Sequence, residues 1–427
     1  MRILLALFLT LPLAAADKLN VVLIMADDVG YECFGFSGSK QYKTPHLDRL
    51  ADSGVRFSNA FSTPLCTPSR VALMTGRNSI RNYVDFGALD PGETTFVEMF
   101  RKAGYATAIS GKWQLQGSEH AKGVGPGGAG FDEYCLWNTP FTKRPRYWNP
   151  SQYVNGKVRQ AKEDDYGPDV AADFLIDFME RNKERPFFAY YPMMLVHSPF
   201  LPTPDSTDRN SKDEQKNFAD MVAYMDKIVG RLAGSIDRLG LREKTVLIFT
   251  ADNGTHVRLR SRLNGRTIQG GKGTPTDRGT HVPLIVYAPG TAQGGRVVDD
   301  LIAHSDFVPT LAQAAGLEFS APAKLDGRSF WPQVLGQPGD PRETQFTYYF
   351  PRPYSTTTDG GYRSPEVRFV RDKRYRLLSD GRLYDLHSDP SETTPLASGR
   401  ADDVRGKLQG VLDAWPRHGE RIPQAEE

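Results

Sequence analysis

The sequence predicts an α/β protein: a large mixed, mostly parallel sheet sandwiched by helices, followed by a small C-terminal antiparallel subdomain with a terminal helix. Three observations lead there. The runs at 19–26, 105–110, 186–191 and 245–251 are continuously apolar and rich in β-branched or aromatic residues, as strands covered on both faces must be. Between them lie stretches with apolar residues at helical spacing, such as Met221, Val222, Met225, Ile228, Val229 and Leu232. Beyond about Gly336 the texture changes to short alternating segments divided by turns.

Residues 1–16 read as a secretory signal peptide: Arg2, an apolar run to Leu13, then Ala14-Ala15-Ala16 as the cleavage site, too short to span a bilayer. No later stretch is apolar and long enough to cross one, so the expected protein is exported, periplasmic or secreted, without an integral membrane segment. With 427 residues, 39% hydrophobic and 11% aromatic, the chain can bury one large core and a smaller one. The expected division is a catalytic α/β domain at 17–335 and an antiparallel subdomain at 336–427. A net charge of +2 makes no case for nucleic acid or an anionic membrane as partner, so any affinity for anions must be local. Export permits disulfides. The chain has only Cys33, Cys66 and Cys135; Cys33 and Cys135 either pair or, the preferred reading, stay as buried thiols.

The first strand ends in Asp27-Asp28, at the C-terminal edge where open α/β sheets bind ligands. Adjacent carboxylates repel unless a cation lies between them, so a divalent metal is the economical explanation. A capped helix at 44–51 and a short strand starting at 55–57 lead to Leu65-Cys66-Thr67-Pro68-Ser69-Arg70. Pro68 fits the first turn of a helix, which sets Cys66 in the positive field of its N-terminus. Arg70 falls on the same face one turn later.

A helix at 94–103 precedes the second buried strand, which runs into Gly111-Lys112-Trp113-Gln114-Leu115. The glycine-rich 123–130 and the aromatic, basic and proline-dense 137–166 read as long loops near a site mouth. A helix at 169–183 follows, then a strand terminating at His197-Ser198-Pro199. The long helix at 218–239 leads to the strand that ends in Asp252-Asn253-Gly254. After a loop with Arg258, Arg260, Arg262 and Arg266 come Gly270-Gly271-Lys272-Gly273, a strand at 282–287 and a helix at 306–315. Strands at 347–350, 367–370, 375–378 and 383–386 and a helix at 404–415 complete the tail.

Collected at one sheet edge, Asp27, Asp28, Asp252 and the Asn253 amide offer oxygen ligands for a hard cation, Ca²⁺ or alternatively Mg²⁺. No His/Cys cluster favours zinc. Arg70, Lys112 and Lys272 would surround an oxyanion and stabilise charge building up during transfer. His197 is the best candidate acid for a departing alcohol.

Ala26-Asp27-Asp28-Val29-Gly30, Cys66-Thr67-Pro68-Ser69-Arg70, Gly111-Lys112-Trp113, His197-Ser198-Pro199, Asp252-Asn253-Gly254 and Gly271-Lys272-Gly273 resemble, in the same order, the blocks of the type I (formylglycine-dependent) sulfatases of the alkaline phosphatase superfamily. Leu383-Tyr384-Asp385-Leu386 and Asp389-Pro390-Ser391-Glu392 resemble that family's ending. The resemblance covers nearly the whole mature chain. It implies that Cys66 is oxidised to formylglycine before folding, by a formylglycine-generating enzyme, and that residue 66 joins the metal set. It further implies that the aldehyde hydrate attacks sulfur while the alcohol leaves, and that sulfate is then expelled as the aldehyde reforms.

One position departs from the family's Gly-Lys-x-His-Leu-Gly pattern, where the histidine assists the hydrate: this chain has Gln114. Glutamine can hydrogen-bond but cannot act as a base near neutral pH, so His256 is a candidate substitute and both residues are expected beside the substrate. The expected substrate is a sulfated carbohydrate, with the aromatics and cations of 137–166 and the four arginines 258, 260, 262 and 266 offering stacking and anion contacts. The competing readings are a phosphodiesterase or phosphonate hydrolase of the same superfamily, and an inactive sulfatase-like protein that binds glycans.

Overall fold

Residues 18–321, 324–350 and 366–416 are described by the computed structural model; the expected signal peptide at 1–16 lies outside them. Eight strands of the main sheet come first in the chain: β1 (Asn20–Ala26), β2 (Val55–Phe61), β3 (Ala106–Lys112), β4 (Glu133–Trp137), β5 (Gln152–Val154), β6 (Lys157–Arg159), β7 (Phe187–Pro192) and β8 (Thr245–Ala251). A separate two-stranded ribbon, β9 (Arg260–Leu263) with β10 (Arg266–Gln269), precedes β11 (His281–Tyr287) and β12 (Arg296–Ala303). The spatial order is β12-β2-β11-β8-β1-β7-β3-β4-β5-β6.

Strand β1 is buried along its whole length because it runs parallel between β7 and β8. The continuous apolar run is the signature of that central place. The pairs β3/β7, β3/β4 and β2/β12 are parallel too, whereas β11 runs antiparallel to both β8 and β2. The large mixed, mostly parallel sheet is therefore as expected. The segment 137–166 is not all loop: β5 and β6 form a hairpin that extends the sheet past β4. Three-residue strands carry too little alternation to stand out in the sequence.

The Cys66–Thr75 helix is buried at all ten positions, unlike an amphipathic surface helix. Cys66 is its first residue. Ser69 ties the approach: its Oγ accepts from Thr63 N (3.2 Å) and donates to Thr63 O (3.0 Å). Gly76 ends the helix at φ 70°, its N–H returning to Ala72 O, the usual left-handed stop. The long Glu214–Arg238 helix is capped by Asp213, which accepts from Gln215 N and Lys216 N.

The second sheet is antiparallel, in the order β13 (Gln345–Tyr349), β14 (Val367–Arg371), β15 (Tyr375–Leu378) and β16 (Leu383–Asp385). Leu408 and Leu412 of the Asp402–Asp413 helix pack on Phe346, Val370 and Leu377. Arg371 joins this unit to the main sheet: it pairs with Asp277 and lies 3.6 Å from the Phe61 ring centroid. Tyr349 packs with Leu65, Cys66 and Phe86. Cys33, Cys66 and Cys135 are all free and buried, so the Cys33–Cys135 disulfide is not formed. No described helix is long and apolar enough to cross a membrane.

Candidate active site

Parallel register brings the polar strand ends together. Ala26 of β1 faces Ala251 of β8, and Asp252 N bonds Ala26 O at 3.0 Å, so Asp27 and Asp252 leave the sheet side by side. On the other flank Asp27 N bonds Leu195 O (2.8 Å) and Val196 N bonds Asp27 O (2.7 Å), which carries His197 to the same edge. Lys112 ends β3, two strands away. Gly111 lets β3 approach: it has φ 122°, and a Cβ there would stand 2.1 Å from Pro192 O. Asp28 itself sits at φ 64°, an uncommon conformation that Asp tolerates better than most residues.

Every carboxylate in the cluster meets a cation. Lys112 Nζ lies 3.0 and 2.9 Å from the two oxygens of Asp27. Lys272 Nζ is 2.6 Å from Asp28 Oδ2. Arg70 donates to Asp252 Oδ2 through Nε (3.2 Å) and Nη2 (2.7 Å), and Asp252 Oδ1 accepts from Asp28 N (3.1 Å). His197 Nε2 stands 3.5 Å from Asp28 Oδ2. Its Nδ1 is 2.6 Å from the Ser198 carbonyl; a carbonyl only accepts, so Nδ1 holds the proton of the neutral ring and Nε2 is the atom presented to the site.

Burial sets the electrostatics. It pushes the Asp27 carboxyl up, but Lys112, His197, Arg146 and Arg70 together hold it well below the usual range. Asp28 is likewise lowered, as His197 and Lys272 outweigh burial. Asp252 goes the other way: burial, with Asp27 adding to it, raises it to about 7 against Arg70 and Lys112. Burial and the neighbouring Arg146 depress His197 well below its ordinary value.

The donor set fits a hard divalent cation. Oxygens of Asp27 and Asp28 and a nitrogen of His197 lie within 4.8 Å of one another. Asn253 Nδ2 donates to Asp28 Oδ1 (2.9 Å) and Gly254 O (3.0 Å), which fixes its amide orientation. Its Oδ1 is then buried and meets no donor among the described residues. An orphaned carbonyl beside two carboxylates is what an oxygen-seeking cation would satisfy.

Of the residues expected from the sequence, Asp27, Asp28, Asp252, Asn253, Arg70, Lys112, Lys272 and His197 converge. Cys66 stands at the head of the helix that carries Arg70, close enough for the two to interact electrostatically. His256 is buried against Phe200 and feels Asp28 and Lys272, and its Nδ1 accepts from Arg258 N at 3.2 Å. Gln114 has φ 58° and donates its backbone N–H to Asn138 O (3.1 Å), while its Oε1 is buried with no hydrogen-bond partner among the described residues. Of the aromatics in 137–166, Trp137, Tyr147 and Tyr166 are buried. The arginines of the β9–β10 region are engaged at the surface, Arg258 with Glu214 at 3.1 Å and Arg260 with Gln269 at 2.9 Å.

Two residues were not visible in the sequence as site residues. Arg146 Nη1 donates to Asp27 Oδ2 at 2.9 Å from within the 137–166 segment. Glu32, fully buried, accepts from Thr255 Oγ1 at 2.5 Å, while Thr255 Oγ1 also accepts from Gly30 N and Thr255 O accepts from Lys272 N (2.9 Å). Glu32 thereby braces the turn that sets Lys272; no motif marks it.

A cluster of carboxylates and cations at the end of a mostly parallel sheet is suited to binding an oxyanion. The chain's family follows from sequence. The sulfatase family model matches residues 19–317, and the model described as N-sulphoglucosamine sulphohydrolase, C-terminal, matches 274–414. Human arylsulfatase A is 33% identical over 96% of this chain and 89% of that protein. Among solved structures, Ps i-CgsB in complex with k-i-k-neocarrahexaose superimposes with a TM-score of 0.79 at 23% identity, covering 95% and 94% of the two chains. BT4656 in complex with its substrate D-glucosamine-2-N,6-O-disulfate gives 0.76 at 19% identity, covering 96% and 100%. The chain belongs to the sulfatase family of the alkaline phosphatase superfamily and is a sulfuric ester hydrolase.

Proposed function

We propose that this protein is an exported sulfatase that removes sulfate from a sulfated carbohydrate, using a formylglycine made from Cys66 and a divalent cation, Ca²⁺ or Mg²⁺. The observation that carries the reading is the charge balance of the buried edge: Arg70, Lys112, Arg146 and Lys272 against Asp27, Asp28 and Asp252. A divalent cation added to that set leaves a strongly positive pocket, suited to a sulfate ester. Asp27, Asp28, Asp252 and Asn253 would hold the cation, with residue 66 completing the set. The cation supplies charge that orients a sulfate oxygen and acidifies a hydroxyl. The formylglycine hydrate supplies an oxygen nucleophile and a route for releasing sulfate.

The chain's own residues do the rest. Lys112 and Lys272 bind the oxygens not taken by the cation. Arg70, locked on Asp252, keeps positive charge beside residue 66. His197, fixed through Nδ1, presents Nε2 to the leaving alcohol and serves as its acid in the doubly protonated form, which the Asp28 carboxylate beside Nε2 favours. Gln114 orients by hydrogen bonding, and His256 stands in as base. The carbohydrate preference draws on two facts: the 138–151 loop that reaches Asp27 also exposes Phe141, 56% accessible, and the structural neighbours named above were solved with carbohydrate ligands.

The test is sulfate release from a panel of sulfated oligosaccharides, with matched aryl sulfate and aryl phosphate alongside, together with peptide mass spectrometry across Cys66 in protein from its native host. Release from at least one oligosaccharide and a mass shift from thiol to aldehyde are expected. Turnover of aryl phosphate in preference to every sulfate ester, or a thiol at 66 in active enzyme, would refute the proposal.

A further inference from the structure

The 138–151 loop contributes a cation that none of the family-like blocks contains. Arg146 and Lys112 converge on one atom: both lie 2.9 Å from Asp27 Oδ2. Arg70 adds a third positive group 3.8 Å from Asp27 Oδ1. Neutralising a single carboxylate does not require three cations. Arg146 is moreover built in, with its side chain only 9% exposed. Its guanidinium lies 4.3 Å from the Trp137 ring centroid, and Nη1 also donates to Met194 O at 3.2 Å. The next residue, Tyr147, donates its hydroxyl to Met194 O (2.9 Å) and also bonds His197 O, so the loop is fixed to the same backbone stretch that carries His197.

Stacking and a backbone carbonyl therefore hold Arg146 in place independently of Asp27. A cation bound to the Asp27 carboxylate competes for Oδ2. A guanidinium has five N–H donors in a planar fork matched to tetrahedral oxyanions. Gln114, two residues past Lys112, brings no charge to the site.

We propose that Arg146 is a sulfate-binding residue, donating to an oxygen of the substrate's sulfate group beside Lys112 and on the His197 side, and restoring positive charge that Gln114 does not supply. This rests on the sulfatase reading above.

The experiment compares cation-loaded wild type with Arg146→Ala and Arg146→Lys, measuring inorganic sulfate binding by calorimetry and KM and kcat for one sulfate ester. Ca²⁺ affinity is measured separately without sulfate. Arg146→Ala is expected to weaken sulfate binding at least tenfold and to raise KM by a similar factor, with Ca²⁺ binding unchanged or tighter, since a competing positive charge is gone. Arg146→Lys keeps the charge but loses the fork and the stacking, and is expected to recover part of the loss. If Arg146→Ala does not fold, Arg146→Met, which keeps an unbranched stem against Trp137, takes its place. Sulfate affinity within twofold of wild type in a charge-free variant that folds would overturn the inference, as would a change confined to Ca²⁺ affinity. A wild type that binds no sulfate and hydrolyses no sulfate ester would instead overturn the sulfatase reading.

Discussion

His304 is a clean place to test the energetics of the region beneath the active helix. It opens the short turn His304–Asp306 ahead of the Phe307–Ala315 helix, packed against Cys66–Thr75. The ring is fully buried near the backbone of Ser69 and Ala251, and burial lowers its pKa to about 4. In the unfolded chain the value is about 6.5. Protonation therefore favours the unfolded state: stability is complete above about pH 6.5 and falls as the pH drops from there toward 4. The gap corresponds to about 3 kcal/mol below both values and roughly 2–3 kcal/mol at pH 4.5. The assay is urea unfolding of wild type and His304→Gln at pH 7 and 4.5. Wild type should lose roughly 2–3 kcal/mol more than the variant between the two pH values. Parallel losses in the two proteins would refute the argument, because the ring would then titrate alike folded and unfolded.

Asp277→Asn should destabilise the protein by about 2–4 kcal/mol, since it leaves Arg371 buried without its counter-charge. Asp277 is held far below the usual carboxylate range, chiefly by Arg371 against burial, so its contribution is present at neutral pH and lost only in strong acid; urea melts at pH 7 and 3 check both. Adding Ca²⁺ to chelated protein at about a hundred times its dissociation constant should raise stability by about 2.7 kcal/mol. Asn253→Ala should remove most of that rise in a thermal melt. Gly111→Ala forces a Cβ to within 2.1 Å of Pro192 O and should cost about 2–4 kcal/mol, with Lys112 displaced and sulfate ester turnover lost along with stability.

The central strands were legible because β1, β7 and β8 are covered on both faces, so their sequences are apolar without interruption. Their polar ends were legible for the same reason: Asp27-Asp28 and Asp252-Asn253 break a hydrophobic run at a point where nothing local asks for charge. Strand β12 was missed, as its half-exposed start carries Asp299-Asp300 and reads as loop. Arg146 was missed because a functional arginine on an irregular segment has no period to betray it; only the fold reveals that residue 146 meets residue 27. Nothing in the sequence sets Glu32 apart from other acids, because its partner Thr255 lies more than two hundred positions away. The β5–β6 hairpin takes its structure from pairing with β4 rather than from its own three-residue strands.

The packing of Tyr349 on Cys66 has a temporal side. Cys66 is 2% exposed, inside a helix with no accessible position, and part of its cover comes from a strand made late in synthesis. Roughly 280 residues separate the two, which at about 5–20 residues per second is roughly 15–60 s of translation. Until Tyr349 has emerged and β13 has docked, the thiol lacks that lid. Under the proposed formylglycine maturation, the enzyme that oxidises Cys66 works against a clock set by the ribosome, and a chain ending before Gln345 would leave that clock stopped.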